Sequence, residues 1–234
     1  TLASWYFTLA GPVSRAGFRV IAYDLRGHGR TERPAQGYRL ADFVDDLAGL
    51  LDKLGETAPV CLFGNSFGGT IAFAYAVRYP HRVRAVVAVE SAPPTAAWME
   101  RALRRLDRAS SQLPSRRPVQ RRGWTMRGPA QLLKETTLAA DLARSRLPSQ
   151  QQIEAIHQPV LGIYGAASGM AGFASTLDRL PAATTAVIAG GRHTVLLDQP
   201  SAVHRHIAAW LDRHHLAGPA RPASTDRTEP AGRP

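Results

Sequence analysis

Residues 58–79 read Ala58-Pro59-Val60-Cys61-Leu62-Phe63-Gly64-Asn65-Ser66-Phe67-Gly68-Gly69-Thr70-Ile71-Ala72-Phe73-Ala74-Tyr75-Ala76-Val77-Arg78-Tyr79. The stretch from Ala58 to Phe63 is short and apolar, which predicts a buried strand. Phe67 to Tyr79 predicts a helix, closed by Pro80. Between them Gly64-Asn65-Ser66-Phe67-Gly68 fits G-x-S-x-G. So sharp a passage from strand to helix forces Ser66 into a strained backbone conformation and exposes its hydroxyl. Small residues two before and two after the serine let the turn pack without clashes. The amide of Phe67, at the helix start, can donate to a developing oxyanion, and the helix dipole adds to that field.

Outward from this turn, strands and helices alternate. Phe18 to Leu25, Val83 to Val89, Val160 to Tyr164 and Thr184 to Ala189 read as further buried strands. Residues 39–54 repeat apolar side chains at helical spacing (Leu40, Phe43, Val44, Leu47, Leu50, Leu51, Leu54) and stop at Gly55. Residues 201–213 predict a last helix. This rhythm implies a mostly parallel sheet flanked by helices, an α/β class. Residues 95–157 break the rhythm with a helical, basic insert that could sit as a lid over the strand ends. The expected organisation is therefore 1–94 and 158–216 as two parts of one core, 95–157 as lid, and 217–234 as a disordered tail.

A serine nucleophile needs a base. His193, in Gly190-Gly191-Arg192-His193, is the one histidine of eight that lies just after the last predicted strand. A neutral imidazole there can take the serine proton and return it to a leaving group. The base needs an acid. Seven carboxylates lie between Ser66 and His193, and of these Glu90 alone stands at a strand's carboxyl end. Catalytic groups of such sheets gather at those ends.

The stretches DLRGHGRTERP, GNSFGG, YPHRVRAVV and GGRHTVLLDQP together resemble the α/β-hydrolase superfamily. The resemblance covers roughly residues 5–95 and 158–212. It implies an α/β-hydrolase fold and a Ser…acid…His order. In the common branch the acid follows the strand that here reads VLGIY. That loop, Gly165-Ala166-Ala167-Ser168-Gly169-Met170, holds no carboxylate, and Ser168 stands near the expected place. Thioesterase domains of polyketide and peptide assembly lines place the acid at the earlier strand end. The expected triad is therefore Ser66–His193–Glu90, with Phe67 at the oxyanion. Two alternatives stay open: a Ser–His dyad with Glu90 bracing the lid, and Asp178, which reads as mid-helix. The resemblance also implies earlier strands and a His-Gly loop before a segment like Ser4–Leu9. The sequence has neither, so the first strands of the sheet are expected to be missing and the natural chain to be longer.

The expected function is hydrolysis of a carboxylic ester or acyl-thioester through an acyl-enzyme on Ser66. The alternatives are a carbon–carbon bond hydrolase or lyase of the same fold, or a non-catalytic member that binds a ligand or partner. The chain has 234 residues, 44% apolar, which suffices for one domain and a small cap. The formal charge is +11. Residues 95–155 hold twelve Arg or Lys against five Asp or Glu, so +7 of the +11 falls in that segment. Such a face suits an acidic acyl carrier protein or the phosphates of a coenzyme A thioester, beside a small-molecule acyl substrate. It lacks a nucleic-acid recognition motif, so no nucleic-acid partner is expected. No cofactor or metal is expected, nor a signal peptide or membrane span, and one cysteine, Cys61, forms no internal disulfide. Cytoplasmic localisation is expected. Cys61 reads as core, and Trp98 and Trp124 as packing residues of the insert.

Overall fold

The computed structural model describes the backbone of residues 6–111, 119–121, 124–126 and 129–216, and the side chains of residues 8–108 and 131–216. The expected disordered tail, 217–234, and the side chain of Trp124 lie outside the described residues. The strands are β1 (Val60–Asn65), β2 (Val83–Val89), β3 (Val119–Arg121), β4 (Trp124–Met126), β5 (Val160–Gly165) and β6 (Ala183–Ile188). The larger helices are α1 (Leu40–Lys53), α2 (Phe67–Arg78), α3 (Ala96–Ser111), α4 (Pro129–Glu135), α5 (Leu138–Ala143), α6 (Gln150–Glu154) and α7 (Pro200–Arg213).

β1, β2, β5 and β6 form one parallel sheet in the order β1-β2-β5-β6, and β3 pairs with β4 in an antiparallel hairpin. The side chains of β2 divide by alternation, as a pleated strand requires. Val86 and Ala88 face the cluster built with Phe43, Leu47, Ile71 and Phe73 of α1 and α2. Ala85, Val87 and Val89 face the cluster built with Val203, Ile207 and Trp210 of α7. Both faces of the central strands are thus dry beyond the exposed Arg84 near the start of β2, which explains why the rest of β2 and β5 read as apolar runs.

Phe18–Leu25, predicted as a strand, is not one. It runs as irregular backbone with Val20 40% exposed. Its local composition suits a strand, but a strand exists only through a ladder with a neighbour. Among the described residues β1 pairs with β2 alone. Cys61, expected in the core, is in consequence only partly buried on this edge strand.

The segment after β2 is helical apart from the β3–β4 pair, which the sequence reading of 95–157 did not anticipate. α3 buries Trp98 and Met99, packs Leu103 and Leu106 against the same core, and rests on α4 and α5. Among the described residues no helix is long and apolar enough to cross a membrane.

Candidate functional site

Parallel registry places the site. Asn65 is level with Val89, Val89 with Ile163, and Gly165 with Ile188. The residues just past the four strands therefore line one edge of the sheet, about 4.8 Å apart from strand to strand. Ser66 follows β1, Glu90 follows β2, Ser168 follows β5, and His193 follows β6.

Two of these residues leave their strands through an unusual backbone. Ser66 and Glu90 both have φ of 52°. For a residue with a Cβ this costs about 1–3 kcal/mol, so surrounding structure must hold it. The Ser66 amide donates to the Val89 carbonyl at 2.9 Å, and the Glu90 amide to the Ile163 carbonyl at 2.8 Å. These bonds carry the ladder one residue past the strand and turn each side chain over the sheet edge.

Close backbone approach does the rest. A Cβ on Gly64 would meet Gly69 at 2.3 Å, so α2 can start directly against β1. A Cβ on Gly165 would meet the Gly191 backbone at 2.3 Å. The loop after β6 thus lies on the end of β5, which brings His193 over Glu90.

The sequence-predicted side chains come together. His193 Nε2 lies 3.2 Å from Ser66 Oγ, and His193 Nδ1 lies 3.0 Å from Glu90 Oε2. A carboxylate only accepts, so the ring proton belongs on Nδ1 and the Nε2 lone pair faces the serine. Glu90 is fully buried. Its Oε1 accepts from the Gly165 amide at 2.6 Å, and its Oε2 accepts from the Ser168 hydroxyl. Three donors therefore hold the charge that burial would otherwise penalise. Ser168 in turn accepts from the Met170 amide at 3.1 Å. Asp178, the other candidate acid, is not brought to this edge; it caps the single turn Ala174–Leu177.

Below the site, Tyr164 donates to the Ser91 carbonyl at 2.8 Å. Burial, with the Glu90 charge adding to it, holds this phenol far above its ordinary pKa, so it remains a donor. Phe67, the residue after the nucleophile, opens α2. Its ring stacks on Trp98 of α3 at 6.1 Å and 14°, and meets Phe43 edge-on at 5.0 Å.

Two residues were not legible as site members. Arg105 is one of the twelve basic residues of 95–155, and nothing in the sequence sets it apart from them. Its exposed side chain places Nη1 3.3 Å from His193 Nε2. Ser168 was noted for its position alone, not as a donor to Glu90. The available signal for Arg105 was its four-residue spacing from Arg101, which puts both on one stripe of α3. Two cavities of about 280 and 230 Å³ lie beside α6 and between α1 and α2, away from Ser66. Among the described residues no cluster of His, Cys, Asp or Glu is arranged to hold a metal ion.

Comparison with known proteins identifies the fold family. Residues 1–158 match a family described as alpha/beta hydrolase fold. The chain is 51% identical over 70 residues to a 2-hydroxy-6-oxo-2,4-heptadienoate hydrolase of Pseudomonas putida, which is 30% of this chain and 25% of that protein. It is 45% identical over 91 residues to a 2-hydroxymuconate semialdehyde hydrolase of a Pseudomonas species, 38% of this chain and 31% of that protein. The matched segments thus span about a quarter to a third of these relatives. Among solved structures, a thermophilic esterase from Thermogutta terrifontis superimposes with a TM-score of 0.64 at 26% identity, covering 85% of this chain and 81% of that one.

Proposed function

The chain belongs to the alpha/beta hydrolase fold family, and on that premise we propose that it is a serine hydrolase acting through an acyl-enzyme on Ser66. One observation carries the reading. A continuous relay runs from Ser66 Oγ through both nitrogens of His193 to a buried carboxylate, with steps of 3.2 and 3.0 Å.

The chemistry follows from the relay. Ser66 Oγ attacks the substrate carbonyl carbon while Nε2 takes its proton. The imidazolium that forms is stabilised by Glu90, whose charge is fixed by Gly165 and Ser168. The Phe67 amide, at the positive end of α2, receives the oxyanion. Nε2–H then protonates the leaving group, and water attacks the acyl-serine with His193 as base. Esters and thioesters are the substrates this sequence of steps handles directly. Carbon–carbon bond cleavage is the second reading, favoured by the names of the two Pseudomonas relatives.

A fluorophosphonate probe tests the activated serine. The expected result is one label, mapped to Ser66 by peptide mass, and lost in Ser66→Ala. Folded protein left unlabelled would overturn the reading. A panel of p-nitrophenyl esters, acyl-thioesters and vinylogous diketones then separates ester from carbon–carbon chemistry.

A further inference from the structure

We propose that Arg105 and Arg101 of α3 form a carboxylate-recognition site over Ser66, so that this hydrolase selects acyl substrates carrying a free carboxylate close to the scissile carbonyl. The substrate half of the inference rests on the serine-hydrolase reading; the anion site itself does not.

The first observation is a conflict at one atom. With its proton on Nδ1, His193 offers a single lone pair at Nε2. Two donors approach it: Ser66 Oγ at 3.2 Å and Arg105 Nη1 at 3.3 Å. A guanidinium beside the base competes for the lone pair that must accept the serine proton. An anion that takes the Arg105 N–H groups removes the competitor. A substrate carboxylate there frees the base at the moment the carbonyl arrives.

The second observation is independent. Arg101 stands four residues earlier, hence on the same stripe of α3, with Cβ atoms about 5–6 Å apart. Its guanidinium lies so close against Gly169 that a Cβ there would meet Nη2 at 2.1 Å. It sits 6.0 Å over the Phe173 ring. Its Nε is buried and has no hydrogen-bond partner. A buried donor left open is costly, so a site that closes around an anion recovers that cost.

The neighbours sharpen the assignment. Arg104 pairs with Glu100, and Arg108 Nε donates to the Arg104 carbonyl, so both are engaged along the helix. Among the described residues neither Arg101 nor Arg105 has a carboxylate partner. Glu90, the one carboxylate at the site, is turned away beneath His193 and engaged by its own donors. Planar guanidinium forks match a carboxylate in two-point fashion. The place also excludes a remote charge. The phosphates of a coenzyme A thioester sit at the far end of a long pantetheine arm, whereas Arg105 touches the nitrogen that touches the nucleophile. Whatever it binds is within a few bonds of the reacting carbonyl.

Two p-nitrophenyl esters test this, the neutral butyrate and the singly charged hemi-glutarate. Wild type is expected to favour the hemi-glutarate by about tenfold or more in kcat/KM, after correction for the rates in buffer alone. That ratio is expected to fall at least fivefold in Arg105→Gln and to shrink in Arg101→Gln. A wild-type enzyme without the preference, or a preference that survives both substitutions, overturns the proposal. Calorimetric titration with glutarate separates this outcome from failure of the hydrolase reading. Binding that is lost in the Arg101→Gln/Arg105→Gln protein supports the anion site even if the fluorophosphonate leaves Ser66 unlabelled. Absence of glutarate binding to wild type overturns it even if Ser66 labels.

Discussion

Glu90 and Arg105 both bring a charge to His193, one from beneath and one from above. Glu90 is fully buried, leaves its strand through a strained backbone, and is held by an amide, a hydroxyl and an imidazole. Arg105 is exposed and reaches the ring by one contact from a helix outside the sheet. The floor is over-determined because four parallel strands end in register. The roof rests on side chains of α3 packed on that core. Chemistry that must not move belongs on the first; recognition that must change with the substrate belongs on the second.

The hardest way to break the floor is Glu90→Gln. The amide keeps the shape but loses the charge that sets the Nδ1 tautomer and stabilises the imidazolium. A fall of about 10³–10⁴ in kcat is expected with a near-normal melting curve, measured on whichever ester the enzyme turns over. Ser168 sharpens the result. Its hydroxyl donates to the same Glu90 oxygen that faces Nδ1. A carboxylate introduced at Ser168 therefore comes within reach of the ring. Glu90→Gln combined with Ser168→Asp is expected to recover about tenfold over Glu90→Gln alone, an estimate of one charge-assisted hydrogen bond regained. No recovery would mean that the loop after β5 cannot supply the acid in this protein.

Trp98 is where roof meets floor. It is 6% exposed and stacks on Phe67, the residue next to the nucleophile. Trp98→Ala removes a large buried ring and leaves a cavity, at a cost of about 3 kcal/mol or more. The expected drop in melting temperature is about 6–12 °C by calorimetry. The preference for the charged ester should fall in parallel, because α3 loses the anchor that sets the height of Arg101 and Arg105. A shift below about 2 °C would show that α3 is held by something other than this stack.

Floor and roof also differ in how far the amino-acid pattern reveals them. β1, β2, β5 and β6 are each short, apolar and bounded by turns, and the groups at their carboxyl ends follow from that pattern alone. Ser66, Glu90 and His193 were legible because strand ends are the one place where such sheets collect side chains. Phe18–Leu25 shows the limit. Val20, Ile21, Tyr23 and Leu25 suit a strand as well as Val83–Val89 does. Pairing is a property of two segments, however, and only the second has neighbours on both sides. Arg105 was hidden for a related reason. In a run containing Arg104, Arg105 and Arg108, helical periodicity groups residues into stripes but does not say which stripe faces the site until α3 is packed.

The gentlest test of the comparison is at Asp141, which ties α5 to the loop before α1. Its Oδ2 accepts from the Thr137 hydroxyl at 2.5 Å and from the amides of Tyr38 at 3.0 Å and Gly37 at 3.1 Å. The Thr137 hydroxyl first, then the Tyr38 amide, hold this carboxyl below its ordinary value of 3.8. A lowered carboxylate stabilises the fold wherever it is ionised in both states, above the ordinary range. That stabilisation fades as pH falls through the folded-state value. The carboxylate is partly open to solvent, so the effect is modest. Asp141→Asn is expected to lower the melting temperature by about 2–4 °C at pH 7, equivalent to about 1 kcal/mol. The gap between the two proteins should stay constant from about pH 8 to 5 and close below about pH 4. A gap that persists undiminished at pH 3 would mean that the amide fails sterically rather than electrostatically. The loop would then be held to α5 by shape and not by charge.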